Sequence, residues 1–409
     1  MPMKVLSLSA PGRGGMYTAF LNLRRALALH QIEVRWFEAG RSVAAHARAA
    51  AGAEDLEFGS LLATGTDDDQ ARARALLDYI ESQRPDLVLI NVFGGPLETN
   101  LVRYLPHHVR RVQVVHSISR STYRAARSVR DWTDATVAVS PRIRQDLIRS
   151  QGFRPDSIDV IPNSVELNPG ASVLRDRGRA LRVLVHGRVD HSSKGVNWLP
   201  QIVERALDAG VNLSLTVSGE GPDLARLRTR IAAGALAGRS TFLGFVERER
   251  VPGLLRAHDV LLLPSVYEGL SLTLLEAMAA GCVPVASRIR GVTDYVVADG
   301  ESGLLFPIGD TQAAAAHLIE LDRNRSKLDA LSEAACRAIA ARFTFEAQGA
   351  ALLSLIQRIL REPRRLNEPL PIGRWSLPSR LRPGWWHVLP APVIDLLRVT
   401  RERVRFGTA

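Results

Sequence analysis

Glu268 and Glu276 are separated by seven residues within LLLPSVYEGLSLTLLEAMAA, residues 261–280. The apolar run that opens this stretch reads as a buried strand. It breaks at Pro264 and Ser265, leaves Glu268 and Gly269 in a turn, and enters a helix near Ser271. The spacing predicts one carboxylate at the carboxyl end of a strand and the other in the first turns of the following helix. In an open α/β sheet that edge is where ligands bind. Backbone N–H groups at the helix start, from Leu270 through Ser271 to Leu272, suit a diphosphate. Glu276 can then accept hydrogen bonds from a ribose diol, and Glu268 from a sugar hydroxyl.

Cations occur at matching places. Gly187-Arg188 ends a strand-like run, and Lys194-Gly195 follows at a helix start. Arginine offers phosphate oxygens a planar fork and lysine a compact point charge. Both are expected at the same strand-end crevice as Glu268. Ser218-Gly219-Glu220-Gly221 is a turn suited to pass beneath a nucleobase, and 242–246, ending in Val246, offers backbone groups to read its edge. Gly12, Gly14 and Gly15 follow the first strand and open a helix, either as a ligand loop or as a plain tight turn. His116 ends another strand and by that position faces a cleft; Arg120 follows within a turn. The acidic run Asp67-Asp68-Asp69 precedes a helical stretch, which suits capping. No His/Cys/Asp cluster has metal-ligand spacing, so no metal is expected.

The elements that must position these groups alternate apolar runs with amphipathic stretches, a pattern of parallel strands with crossover helices. Six runs fill the first half, at 4–9, 33–39, 86–92, 111–117, 135–140 and 158–163; six more lie at 181–187, 213–220, 241–246, 259–264, 283–287 and 303–307. The polar segment after Asn163, with Pro169 and Gly170, reads as the linker. The expected organisation is an N-terminal Rossmann-like domain over 1–170, a second over 171–344, a helix over 345–362 returning to the first, and a tail over 363–409.

At 409 residues the chain can bury more than one core. It carries no apolar run of the roughly 18 residues that span a bilayer, and its first strand is too short for a signal-peptide core. Two cysteines, Cys282 and Cys336, argue against a disulfide framework and for a reducing compartment. The net charge of +11 is uneven: residues 361–409 hold ten arginines and no lysine against four carboxylates. Trp375, Trp385 and Trp386 lie among these arginines, and 393–406 fits an amphipathic helix. Such a tail suits an anionic surface. The alternative is that its tryptophans pack on the first domain. A nucleic-acid partner is not expected, because the tail lacks repeated aromatic-basic modules.

Over about residues 1–360 the chain resembles the retaining glycosyltransferases of family 4. The likeness rests on the glycines at 12–15, VVHS at 114–117, VAVSPRIRQDLI at 137–148 and VIPNSV at 160–165. It continues through the GR…KG pair at 187–195, SGEGP at 218–222, FLGFV at 242–246 and PSVYEGLSLTLLEAMAAGCVPVAS at 264–287. The resemblance implies an α/β GT-B fold, two Rossmann-like domains facing each other across a cleft. It implies transfer of a sugar from a UDP- or GDP-linked donor to a glycan or lipid-linked acceptor. No metal and no other cofactor are expected. By resemblance Glu276 binds ribose, Glu268 a donor-sugar hydroxyl, Arg188 and Lys194 the diphosphate, and His116 the donor sugar near the reacting carbon. The nucleotide-binding set further includes Gly14, Gly15, Gly187, Gly219, Val246, Gly269, Leu270, Ser271 and Leu272. A GT-B-fold sugar-nucleotide epimerase or hydrolase, or a non-catalytic scaffold, are the alternatives. The family's usual lack of a carboxylate opposite the leaving group favours a front-face route. The expected location is cytoplasmic, peripheral at the inner face of the membrane, in polysaccharide or lipopolysaccharide biosynthesis. Ser164 stands where the family often has glycine, and the tail after about 362 has no recognised counterpart.

Overall fold

The computed structural model describes residues 3–8, 14–40, 57–92, 96–167, 179–382 and 400. The chain forms two compact units. One takes residues up to Ser164 together with the segment from Phe345 onward through the described tail; the other takes Val165–Thr344.

The first unit is built on a seven-stranded sheet in the order β3-β2-β1-β4-β5-β6-β7. Its strands are β1 (Lys4–Leu8), β2 (Glu33–Gly40), β3 (Gly59–Ala63), β4 (Leu87–Val92), β5 (Arg110–Val115), β6 (Ala135–Ala138) and β7 (Ile158–Val160). The second unit has a six-stranded sheet in the order β10-β9-β8-β11-β12-β13. Here β8 is Leu181–His186, β9 Leu213–Ser218, β10 Ser240–Gly244, β11 Val260–Leu263, β12 Val283–Ser287 and β13 Leu304–Phe306. Every pairing in both sheets is parallel. Central strands are buried along their length, as in VLLL of β11, because helices cover both faces.

All twelve predicted runs are strands. The thirteenth strand, β3, was not predicted. It is a short edge strand with one fully buried position, so it carries no apolar alternation, and Gly59 is needed because a Cβ there would collide with the Trp36 indole. In each sheet the strand order reverses once, between β1 and β4 and between β8 and β11. At such a switch point the connecting helices leave to opposite faces and open a crevice at the carboxyl ends of the strands.

Among the described residues one stretch, Arg325–Arg361, reaches membrane-spanning length and hydropathy. It is two helices, Arg325–Arg342 and Phe345–Arg361, and each has a buried apolar side. Leu328 and Leu331 belong to the core of the second unit. Leu352, Leu355, Ile356 and Ile359 are buried on the second helix, which packs on Gly15–Ala28 in the first unit. That packing is close: a Cβ on Gly349 would collide with Ala26 O. Polar groups fix the same seam. Ser164 Oγ donates to Gln348 Oε1 (2.6 Å), Gln348 Nε2 to Pro162 O (3.0 Å), and Asn22 Nδ2 to Ser164 O (2.8 Å). Ser164, the departure from the family's glycine, thus has a structural use for its hydroxyl.

The tail from Pro363 to Arg382 packs on the first unit. Arg364 grips the buried Asp134 carboxylate with Nε and Nη2, at 2.9 and 2.8 Å. Trp375 lies on Tyr104 with ring centroids 4.7 Å apart, and Ser376 N–H donates to Tyr104 Oη (3.0 Å). Leu370 and Ile372 join Trp375 against the core formed by β1, β2, β4 and their helices. For Trp375 the structure therefore gives packing, not an interfacial anchor. Trp385, Trp386 and, except for Thr400, the stretch 393–406 lie outside the described residues, as does Gly12.

Candidate functional site

At the switch point of the second unit, the ends of β8, β9 and β10 are drawn together by glycine. Gly187 N–H donates to Ser218 O (2.9 Å) and Gly219 N–H to Gly244 O (2.6 Å). Gly187 and Gly219 hold φ of 127° and 131°, which side chains resist. A Cβ on Gly219 would collide with Gly187 O, whereas the space over Gly187 is open. The strand ends thus present bare backbone, with Val246 half-buried just beyond β10.

Arg188 follows Gly187, largely exposed, its Nε 3.6 Å from Asp190 Oδ2. Asp190 caps the one-turn helix His191–Lys194 through Ser192 N–H (2.9 Å). That turn is docked on the loop after β11: Ser193 O accepts from Val266 N–H (2.8 Å). Gly195, at φ 64°, lies so close to Pro264 O that a Cβ would not fit. The docking delivers Lys194 Nζ to 2.5 Å from Glu268 Oε1. Ser265 Oγ donates to the same oxygen at 2.7 Å, and Glu268 is 9% exposed.

Four residues after Glu268 the helix Leu272–Ala279 begins. Ser271 caps it by accepting from Leu274 N–H (3.3 Å). The first N–H groups of any helix lack intrahelical acceptors, so this one turns donors toward the crevice beside the buried Gly269 and Leu270. Glu276 lies on the helix, and burial pushes its carboxyl up to about 7.

The structure thus gathers Gly187, Arg188, Lys194, Gly219, Glu268, Gly269, Leu270, Ser271, Leu272 and Val246 on the strand-end side of one sheet, with Glu276 in the second turn of the helix that starts there. Three participants escaped the sequence reading. Ser265 reads in the sequence only as a strand breaker. Asp190 carries a helix-cap signal in DHSSK. His186 ends β8, its Nδ1 3.1 Å from Ser218 Oγ; burial and the nearby Lys194 push its pKa down to about 4. A polar residue closing an apolar strand was the available signal for it.

In the first unit, Gly14 and Gly15 open the exposed start of the helix Gly15–Ala28. His116 follows β5, and its Nε2 lies 2.8 Å from Asn91 Oδ1 at the end of β4. Burial pushes the His116 imidazole down to about 4, so it is neutral at pH 7. Arg120 is exposed at the first position of the helix Arg120–Val129. Asp68 of the acidic run caps the helix Asp69–Gln83 through Ala71 N–H (2.8 Å). Among the described residues no three His, Cys, Asp or Glu side chains gather as metal ligands.

Comparison with known proteins gives this arrangement a family. The model of Glycosyltransferase Family 4 matches residues 13–168, and that of Glycosyl transferases group 1 matches 180–324. The chain belongs to the family 4 glycosyltransferases. It is 32% identical over 287 residues to a 2-deoxystreptamine N-acetyl-D-glucosaminyltransferase of Streptomyces fradiae, covering 60% of this chain and 66% of that protein. It is 32% identical over 203 residues to a phosphatidyl-myo-inositol mannosyltransferase of Mycobacterium leprae, covering 48% and 52%. The chain spans about half to two thirds of the length of the curated relatives it matches. Among solved structures, a sucrose-phosphate synthase from Thermosynechococcus elongatus aligns with TM-score 0.73 at 19% identity, over 88% of this chain and 99% of that one. Anabaena HepE, solved in complex with UDP, aligns with TM-score 0.69 at 18% identity, over 88% and 100%. These likenesses show the GT-B fold, two Rossmann-like domains in one α/β chain.

Proposed function

We propose that this family 4 chain is a glycosyltransferase that moves a sugar from a UDP- or GDP-linked donor to a glycan or lipid-linked acceptor, with retention of configuration and without a metal. The observation that carries this reading is the docking of Lys194 beside Glu268 next to the start of Leu272–Ala279. Cation, helix N-terminus and buried carboxylates match the parts of a nucleoside-diphosphate sugar in order. Glu276 takes the ribose diol, the helix start with Arg188 and Lys194 takes the diphosphate, and Glu268 takes a sugar hydroxyl. The named relatives, a glucosaminyl- and a mannosyltransferase, support the class of reaction. The UDP complex of HepE supports a nucleotide in this fold.

In the reaction the acceptor oxygen bonds to the anomeric carbon as the bond from that carbon to the phosphate oxygen breaks. The acceptor proton passes to the departing phosphate oxygen, so the attack is on the same face as departure. Negative charge grows on the diphosphate, where Arg188, Lys194 and the helix N–H groups are preorganised to meet it. Calorimetry with UDP- and GDP-sugars, followed by a donor panel assayed with and without acceptor lipids, tests the reading. Activity abolished by EDTA and restored by manganese would remove its metal-free part.

The surplus of arginine beyond residue 382 supports a peripheral association with anionic lipid at the cytoplasmic face. Basic residues gain about 1 kcal/mol each near such a surface. Co-sedimentation of the full chain with anionic liposomes at low salt, lost at high salt, is the expected result; no binding at low salt would refute it.

A further inference from the structure

We propose that Asn91 is a positioning residue that holds His116 in one tautomer, with the proton on Nε2 and the acceptor lone pair on Nδ1. The inference rests on the family reading of His116 as a donor-sugar contact and specifies how that contact is made. Asn91 Nδ2 donates to Leu8 O (3.2 Å) and Ser7 Oγ (3.3 Å) on β1, the strand beside β4. Leu8 O is a backbone carbonyl and cannot donate, so the NH2 side of the amide must face β1. The carbonyl side, Oδ1, then faces His116 Nε2 at 2.8 Å. An amide oxygen accepts only, so Nε2 carries the proton, and a neutral imidazole with Nε2–H has Nδ1 as its acceptor.

The imidazole is kept neutral by its surroundings. The small cavity beside it is lined from β1, β4, β5 and the helices Gly15–Ala28 and Phe345–Arg361. Its polar groups besides His116 are Ser7, Asn91, Asn163 and Gln348, none of them ionisable. Burial without a charged partner lowers the imidazole pKa to about 4. His116 therefore offers a sugar hydroxyl an acceptor rather than a cation, and the hydroxyl must donate. A three-strand relay, β1 to β4 to β5, sets this polarity with polar side chains at strand positions next to the β1/β4 switch point.

The test reads the tautomer directly by proton–nitrogen correlation of ring-labelled histidine at pH 7, with the His116 signals assigned by their loss in His116→Gln. The expected spectrum of the wild type has Nε2 protonated and Nδ1 bare. Asn91→Leu removes the acceptor and should give mixed tautomers, with a fall in kcat of about tenfold or more. Asn91→Asp keeps an acceptor, so the tautomer should persist while the His116 pKa rises by at least one unit. A wild-type spectrum with the proton on Nδ1, or an Asn91→Leu spectrum identical to the wild type, overturns the proposal. If Asn91→Leu fails to fold, the wild-type tautomer and the Asn91→Asp shift still decide it. Because these signals need no substrate, they separate failure of this proposal from failure of the glycosyltransferase reading.

Discussion

Lys194 Nζ stands 2.5 Å from Glu268 Oε1, joining segments 74 residues apart in sequence. The pair exists because Asp190 caps the turn that carries Lys194, and because Gly195 lets that turn press on Pro264. In a closed pair of this kind each member orients the other. The contact thus fixes the Lys194 ammonium at the strand-end crevice.

The two members are expected to read different parts of the donor. Lys194→Met should weaken binding of the free nucleoside diphosphate and of the intact nucleotide sugar alike, because both carry the diphosphate. Glu268→Gln should weaken only the nucleotide sugar. A charged hydrogen bond is worth roughly 1.5–3 kcal/mol, on the order of 10–150-fold in affinity. Calorimetric titration of each folded variant with both ligands checks this. Equal losses for Glu268→Gln on both ligands would move Glu268 off the sugar.

Glu276 should give donor binding a pH dependence. Burial holds its carboxyl at about 7 against an ordinary 4.5, so it ionises only as the pH passes neutrality. Ribose hydroxyls donate to a carboxylate better than to a neutral acid, so nucleotide affinity should rise between pH 6 and 8. Glu276→Gln should flatten that rise and bind more weakly at pH 8. The same shift acts on folding with the opposite sign. The folded state keeps a proton that the unfolded chain releases above about 4.5. Stability from this group is therefore full below 4.5 and declines until the pH passes 7, by about 3 kcal/mol at most. Urea melts of wild type and Glu276→Gln across pH 5 to 8 should converge at the acid end.

Much of this site was legible in the sequence. The run from Leu261 to Ala280 announces strand, turn and helix by its own periodicity, and it places both carboxylates. The GR…KG spacing places Arg188 just after a strand, whereas Lys194, expected at a helix start, is the last residue of the one-turn helix His191–Lys194. What the sequence withheld was mutual contact. Nothing local to Lys194 says that it meets Glu268 rather than solvent, because that depends on how closely Gly195 approaches Pro264. Asn91 and His186 were hidden for another reason. Each is a polar residue closing a strand, and only the neighbouring strand reveals its partner: Ser7 and His116 for the one, Ser218 for the other. β3 was missed because an edge strand with a single buried position has no apolar run to show.

Gly187 and Gly219 offer a test of which glycine is needed for backbone angle and which for space. Both hold positive φ, but only Gly219 is pressed against another backbone, at Gly187 O. Gly187→Ala should cost about 1–2 kcal/mol from its backbone angle alone. Gly219→Ala should cost more than that and displace the end of β8, which would also weaken nucleotide binding by tenfold or more. Thermal melts and calorimetry of the two variants check the order. A Gly219→Ala protein as stable as Gly187→Ala would show that the strand ends can move apart freely.

The tail joins an arginine-rich composition to a structural use, and truncation separates the two. Residues 363–382 bury part of Trp375 on Tyr104 and bring Arg364 to Asp134, which otherwise has Arg110 as its cationic partner. Asp134 is nearly buried, so losing the two-pronged Arg364 contact should cost about 2 kcal/mol. Loss of the Trp375–Tyr104 pair adds about 1 kcal/mol beyond the area it covers. A chain ending at Arg382 keeps these contacts, so one ending at Glu362 should melt several degrees lower than it and expose Tyr104 to solvent. Tryptophan fluorescence adds a second reading, since Trp375→Phe should remove a partly shielded emitter without the loss of Arg364. If both truncated chains melt like the full-length protein, the contacts of 363–382 add nothing to the fold. The arginines of that segment would then need a partner outside the first unit.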